Sequence, residues 1–263
     1  MLLPGKVAVI YGAGGAIGGA VARAFAGQGA RVYLTGRLQA PVEVVAKDIV
    51  SAGGAAEAAE VDALDEPAVD RHLLEVLDKE GRVDISFNAI GLPDPETGGI
   101  PLAEMDTERF SLPITTYTRS YFLTAHLAAA HMIPKKSGVI MTVTALPARM
   151  GTQNNGGYGP AMAAKEALTR DLSAELAPHG IRVVGLRPHG MPETPTMRKL
   201  AEIYAKSSGL TWEQFTGFLA STAHTRRVMA LDEVANMAVF MASDKASGMT
   251  GTTVNLTMGA LTD

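Results

Sequence analysis

The chain has 263 residues, a length that fits one α/β domain with a sizeable core. Its formal net charge is -4 with both signs interspersed, which argues against nucleic-acid binding and against a membrane-surface helix. The absence of cysteine excludes disulfides, thiolate catalysis and cysteine-based metal sites. We find no signal peptide in residues 1–10 and no apolar run that spans a bilayer, so we expect a cytoplasmic protein.

Short apolar runs rich in β-branched residues alternate with alanine-rich helical patterns along the chain. The predicted strands cover residues 7–10, 31–35, 56–61, 83–87, 139–143, 183–186 and 253–256, and the clearest helices cover residues 17–28, 161–176 and 232–243. Nearly continuous apolar strands separated by helices are typical of a parallel sheet covered on both faces. Because parallel strands need right-handed crossovers, we predict an α/β fold with one doubly wound parallel sheet, a Rossmann fold, over residues 1–263.

Residues 188–227 interrupt this alternation. Three prolines stand near the start of the segment, and two amphipathic stretches follow at residues 196–207 and 211–221. In a one-domain Rossmann fold, an insertion at this point lies above the C-terminal ends of the strands, where ligands bind. We therefore interpret the segment as a helical substrate lid, with an ordinary helical excursion as the alternative.

A glycine-rich turn follows the first predicted strand and leads directly into a helix. Glycine permits a positive φ and lets the backbone approach a pyrophosphate, and the helix N-terminus supplies free N–H groups for the phosphates. The order of strand, turn and helix is what makes the pattern informative, although a purely structural turn is the alternative. The residues predicted to bind a dinucleotide here are Gly12, Gly14, Gly15, Ile17 and Gly18.

Residues after the next strands indicate how the rest of the cofactor binds. Gly36 stands where an acidic residue usually meets the ribose hydroxyls, and Arg37 beside it suits a 2′-phosphate, so we expect NADP(H) in preference to NAD(H). A solvated loop cation is the alternative for Arg37. Asp62 can accept from the adenine amino group, or it can be a helix N-cap or turn residue. The residues expected along the cofactor after the fourth strand are Asn88, Ala89 and Gly91.

With these segments in place, the chain resembles the short-chain dehydrogenase/reductase family over essentially its whole length. The similar segments are residues 12–18, 61–62, 88–89, 158–183 and 232–251. The resemblance implies a Rossmann fold and hydride transfer between a nicotinamide cofactor and a small molecule. It also implies a homotetramer or homodimer, and the alanine-rich pattern at residues 122–132 suits close helix packing at an interface.

The catalytic group of the commonest branch of this family is incomplete. That branch uses an Asn, a Ser, a Tyr and a Lys, with three residues between the Tyr and the Lys. Tyr158 matches the Tyr, whereas Met162, Ala145 and Tyr117 occupy the positions of the Lys, the Ser and the Asn. A carbonyl reductase or alcohol dehydrogenase with an atypical site, and an inactive cofactor-binding homologue, are therefore two alternative functions.

A different spacing is intact, because six residues separate Tyr158 from Lys165. This Tyr-x6-Lys pattern is similar to that of enoyl-acyl-carrier-protein reductases, a divergent branch of the same superfamily. Residues 89–91, 114–121 and 190–194 also look like segments of that branch, which implies that Thr194 lies at the cofactor. The resemblance implies NADP(H)-dependent reduction of an activated double bond, such as that of an enoyl thioester.

In this interpretation, Tyr158 donates to the enolate oxygen and Lys165 binds the nicotinamide ribose and favours a lowered tyrosine pKa. Two helical turns bring the two residues onto one face, with Met162 between them. A surface lysine and a packed core tyrosine are the alternatives for Lys165 and Tyr158. Tyr117 and Tyr121 are more typical of a pocket wall, but either can supply a second hydroxyl. The histidines show no metal-ligand spacing, so we expect no metal.

Overall fold

The structure is a computed structural model that describes residues 1–92 and 98–262. Its strands are β1 (Val7–Tyr11), β2 (Arg31–Gly36), β3 (Ala55–Glu60), β4 (Ile85–Asn88), β5 (Gly138–Val143), β6 (Ile181–Pro188) and β7 (Thr252–Leu256). They form one parallel sheet in the order β3-β2-β1-β4-β5-β6-β7. The predicted doubly wound parallel sheet is confirmed, and each predicted strand agrees with an observed strand to within two residues.

The helices connect successive strands and pack on both faces of the sheet. They are α1 (Ala16–Gly27), α2 (Gln39–Ser51), α3 (Glu66–Glu80), α4 (Thr107–Met132), α5 (Tyr158–Leu176), α6 (Pro195–Ser208), α7 (Trp212–Thr222) and α8 (Leu231–Ala242). The two helices predicted inside residues 188–227 are α6 and α7. Helix α4 is much longer than the stretch predicted at residues 122–132, because Asp106 caps an earlier start by accepting a hydrogen bond from the Arg109 N–H.

Alternating side chains of the strands feed two cores, one on each face of the sheet. On one face, Ile10 of β1 belongs to a buried cluster with Phe25 of α1 and Ala238 of α8. On the other face, Tyr11 belongs to a cluster with Leu73 of α3 and Tyr121 of α4. Because side chains alternate along a strand, a strand covered on both faces must be apolar throughout, which explains the continuous apolar runs in the sequence.

The C-terminal ends of the strands form the edge at which a ligand site is expected. The chain leaves β1 toward β2 on one side and β4 lies on the other side, so the sheet has its topological switch point between β1 and β4. The backbone N–H of Ala89 donates a hydrogen bond of 2.9 Å to the carbonyl oxygen of Tyr11 across this point. The ends of β1 and β4 are therefore fixed side by side, with the glycine turn above them.

Candidate active site

The glycine turn is shaped by contacts that exclude side chains. Gly12 has a φ of 79°, and a Cβ atom at this residue would lie 2.7 Å from the carbonyl oxygen of Ala89. A Cβ atom at Gly18 would collide with the carbonyl oxygen of Gly12. Both positions therefore require glycine unless the backbone moves, and the turn folds tightly onto the first turn of α1.

The start of α1 fits a pyrophosphate group. Gly15 is the N-cap residue, and no side chain forms a capping hydrogen bond there. The first N–H groups of a helix have no intrahelical acceptor, and the positive end of the helix dipole favours anions. Gly12, Gly14 and Gly18 carry no side chains that could cover these donors. The turn, the uncapped helix and the switch point together fit a dinucleotide.

The end of β2 carries a glycine whose surroundings are crowded on one side. A Cβ atom at Gly36 would lie 2.8 Å from Cγ2 of Val42, so any larger residue requires the valine to move. Arg37 is the next residue, and its side chain is exposed. Oδ1 of Asp62 accepts a hydrogen bond of 2.9 Å from the Leu64 N–H, whereas Asp65 caps α3. The helix N-cap alternative for Asp62 is therefore wrong. Asp62 is a turn residue, and its contact with the adenine amino group stays a prediction.

Asn88 and Thr194, two of the other residues predicted at the cofactor, form local hydrogen bonds. The Asn88 amide nitrogen donates to Oγ1 of Thr124 over 3.1 Å, and this asparagine is buried. Gly91 is exposed, and a Cβ atom there would meet nothing within 4 Å. The Thr194 hydroxyl caps α6 and donates to the carbonyl oxygen of Met191 over 2.9 Å. The contacts of these residues with a cofactor stay predictions.

Tyr158 is the first residue of α5, and its ring packs edge-on against Tyr117 of α4. The ring centroids are 5.6 Å apart and the ring planes make an angle of 74°. Met162, one turn further along α5, is buried in the same apolar cluster, together with Ala145. Burial, followed by the nearby Tyr117 phenol, raises the pKa of Tyr158 above its ordinary value. The expectation of a lowered tyrosine pKa is therefore wrong, and the Tyr158 hydroxyl is a protonated donor at neutral pH.

Lys165 lies deeper in the protein than the sequence suggests. Its side chain is fully buried, and Nζ donates a hydrogen bond of 2.8 Å to the carbonyl oxygen of Val143, the last residue of β5. Nζ also lies 5.7 Å from the ring centroid of Tyr117 and 5.6 Å from that of Tyr121. The surface-lysine alternative is therefore wrong. Burial lowers the pKa of Lys165 to about 7, so its charge changes near neutral pH.

A buried ion pair beside this site was missed at the sequence level. Glu166 of α5 accepts from Arg187 of β6 through two bonds, 2.7 Å from Nε to Oε1 and 2.8 Å from Nη2 to Oε2. The hydroxyl of Thr144 lies 3.1 Å from Oε1 of Glu166. The nearest hydroxyl to Ala145 is thus engaged with this pair. Arg187 near the end of the largely apolar β6 was the available signal, because buried charges in proteins are paired.

Within residues 1–92 and 98–262, no three or more His, Asp or Glu side chains are grouped so that they could hold a metal ion. Over the same ranges, no helix is long and apolar enough to cross a membrane.

The fold and the glycine turn define a nucleotide-binding oxidoreductase of the Rossmann type. A family model described as enoyl-(acyl carrier protein) reductase matches residues 12–260. The chain belongs to the short-chain dehydrogenase/reductase family, as its segments predicted, and it is an NAD(P)-dependent oxidoreductase.

Named relatives cover nearly the whole chain. Secoisolariciresinol dehydrogenase of Forsythia intermedia is 31% identical and aligns with 95% of this chain and 86% of its own length. The 3-oxoacyl-[acyl-carrier-protein] reductase of Escherichia coli is 28% identical, with 98% of both chains covered. The crystal structure of an NAD+-bound xylitol dehydrogenase is 25% identical, with a TM-score of 0.89 and coverage of 97% of this chain and 98% of that one.

Proposed function

We propose that this protein reduces a carbon–carbon double bond conjugated with a carbonyl group, with NADP(H) as the cofactor. The observation that carries the proposal is the set of neighbours of Tyr158, because the apolar Met162 and Ala145 stand where the commonest branch has its lysine and serine. The substrate class is an enone or enoyl thioester, and the site supplies orientation and one directed hydrogen-bond donor.

The chemistry requires little from the protein beyond that donor. The nicotinamide, when bound, supplies a hydride to the β-carbon of the substrate. The π-electron pair of the substrate then moves toward the carbonyl oxygen, which becomes an enolate oxygen. The Tyr158 O–H donates a hydrogen bond to that oxygen, and a proton from solvent completes the α-carbon. A donor of this kind contributes about 100- to 1,000-fold in kcat.

The missing relay around Tyr158 favours an enolate over an alkoxide as the oxyanion. Reduction of a ketone produces an alkoxide, which must receive a full proton from an acid that is replenished by a relay. Met162 is buried and apolar, and Ala145 has no hydroxyl, so two members of the usual relay are missing. An enolate oxygen is much less basic than an alkoxide and needs only a hydrogen bond, which the Tyr158 phenol donates without losing its proton.

The remaining parts of the proposal concern the cofactor, the lid and the assembly. Arg37 binds a 2′-phosphate, and Gly36 leaves position 36 without an acidic side chain, which supports NADP(H). Lys165 binds the nicotinamide ribose, because its ammonium group has three N–H donors and the Val143 carbonyl oxygen accepts from one of them. Residues 188–227 act as a substrate lid in a single-domain protein, and the assembly is a cytoplasmic homotetramer or homodimer.

Carbonyl reduction is the second candidate function. It is favoured by the relatives, because a 3-oxoacyl reductase and two dehydrogenases of hydroxyl compounds align with nearly the whole chain. In that case Tyr158 transfers its proton to the alkoxide oxygen as hydride reaches the carbonyl carbon. Restoring a hydroxyl with Ala145→Ser raises ketone turnover if this second candidate is correct.

A paired substrate panel separates the two candidates. Purified protein and NADPH are mixed with crotonyl thioesters and simple enones, and separately with the saturated ketones that match them. We expect turnover of the unsaturated compounds, and we expect Tyr158→Phe to reduce kcat about 100- to 1,000-fold with cofactor affinity unchanged. Tyr33→Phe is the matched control, because Tyr33 lies in β2 and its hydroxyl donates to Glu80. Turnover of ketones alone supports the second candidate, and binding of NADPH without any turnover supports an inactive homologue.

A further inference from the structure

We infer that Tyr117 is a second catalytic residue, whose hydroxyl donates to the same substrate oxygen as that of Tyr158. The inference rests on the proposed function only in requiring that a substrate oxygen gains negative charge. It applies equally to an enolate and to an alkoxide, so it can fail or stand separately from the choice between them.

The position of the Tyr117 hydroxyl carries the argument. It accepts a hydrogen bond of 3.0 Å from the backbone N–H of Leu92, four residues after the end of β4. That bond places the phenol oxygen at the C-terminal edge of the sheet, beside the switch point. The phenol oxygen accepts from Leu92 and keeps its own O–H proton for donation to a ligand.

The surroundings of Tyr117 are those of the candidate site. Its ring packs edge-on against Tyr158, and Ala145, Met162 and Leu92 belong to the same apolar cluster. A hydroxyl in this cluster replaces the one that Ala145 lacks. Burial raises the pKa of Tyr117, so its hydroxyl also stays protonated at neutral pH.

Other phenols near the site are fully buried in the core. The Tyr121 hydroxyl is paired with Oγ1 of Thr169 at 3.0 Å, and its side chain is fully buried. Tyr11 is fully buried in the core cluster between the sheet and α3 and α4. Tyr117 is therefore the phenol whose ring contacts Tyr158 and whose hydroxyl is anchored at the edge of the sheet. A carbonyl oxygen that becomes anionic has lone pairs for both donors.

Binding of a phenolate tests the inference without catalysis. Protein saturated with NADP+ is titrated with p-nitrophenol, whose absorbance distinguishes the phenolate from the phenol, and with nitrobenzene, which has no oxyanion. We expect Tyr117→Phe to weaken phenolate binding about 10- to 100-fold and to leave nitrobenzene binding unchanged. Tyr121→Phe is the matched control and binds both ligands as the original protein does. Because Phe keeps the ring, unchanged nitrobenzene binding also shows that the pocket is intact.

Each remaining outcome decides a different point. Equal phenolate affinity in Tyr117→Phe and the original protein overturns the inference, and so does a failure of the original protein to bind phenolate. Phenolate binding that depends on Tyr117 but not on Tyr158 supports the inference and overturns the donor role of Tyr158 in the proposed function. If Tyr117→Phe does not fold, 3-fluorotyrosine at position 117 keeps the hydroxyl and lowers its pKa. Tighter phenolate binding then supports the inference, and unchanged binding overturns it.

Discussion

Replacing the buried Lys165 by methionine should change both the stability of the protein and its dependence on pH. The substitution keeps a straight side chain and removes the amine, which is fully buried and bonded to the Val143 carbonyl oxygen at 2.8 Å. Burial lowers the pKa of Lys165 from 10.5 to about 7, which corresponds to about 5 kcal/mol against the charged form. Loss of the hydrogen bond leaves a buried carbonyl group and offsets about 1–3 kcal/mol of that gain.

The sign of the pH dependence follows from proton linkage. Below pH 7 the amine is protonated in both states, so the folded protein carries the whole penalty. Between pH 7 and 10.5 the unfolded chain binds a proton that the folded protein does not bind. The free energy of unfolding therefore rises with pH by about 1.4 kcal/mol per pH unit from this group alone. Above pH 10.5 the penalty has disappeared.

Urea unfolding of both proteins at several pH values and one protein concentration measures this effect. We expect Lys165→Met to be about 2–4 kcal/mol more stable than the original protein at pH 6. That difference should shrink by about 3 kcal/mol between pH 7 and pH 9.5. Lys245→Met, which removes an exposed lysine, is the control and should leave the pH profile unchanged. A difference between Lys165→Met and the original protein that is constant over this range would refute the assignment of a depressed lysine pKa.

Three further substitutions test the cofactor site and the buried ion pair. Gly18→Ala forces the turn to move at a cost of about 1–3 kcal/mol, so we expect NADPH affinity, measured by fluorescence titration, to fall about tenfold or more. Gly27→Ala is the control and should leave the affinity unchanged, because a Cβ atom at Gly27 meets nothing within 4 Å. Arg37→Ala lowers NADPH affinity about 10- to 100-fold and leaves NADH affinity unchanged, and equal effects on both cofactors would contradict a 2′-phosphate contact. Glu166→Gln breaks the ion pair with Arg187 and should lower the free energy of unfolding, measured in urea, by about 3–5 kcal/mol. An unchanged urea midpoint would contradict a structural role for this ion pair.

The sheet could be predicted from sequence because its strands are buried on both faces and read as continuous apolar runs. Helices α2 and α3 were not assigned, although α3 carries recognisable signals. Asp65 caps its start, Pro67 follows, and Gly81 ends it in a left-handed conformation. Its buried face holds three apolar residues, Val69, Leu73 and Val76, and the helix contains a single alanine, so the alanine-rich pattern was a poor guide and the end signals were a better one.

The site was only partly predictable, because periodicity gives the face of a helix but not the depth of a side chain. Seven residues advance about 10 Å along a helix, so Lys165 lies well below Tyr158 even though both share a face. Whether the Lys165 ammonium group reaches a ligand or stays in the core depends on which side chains of α4 face it. Tyr117 and Tyr121 of α4 come from a distant part of the chain, and only the fold shows that their rings contact Lys165.

The position of the transferred hydride tests the central claim most directly. NADPH carrying deuterium at the transferable C4 position is incubated with the protein and an enone, and the product is examined by mass spectrometry and NMR. Deuterium at the β-carbon of a saturated ketone, formed far more slowly by Tyr158→Phe, is the result that we predict. Deuterium on the carbonyl carbon of an allylic alcohol would contradict double-bond reduction and identify a carbonyl reductase instead.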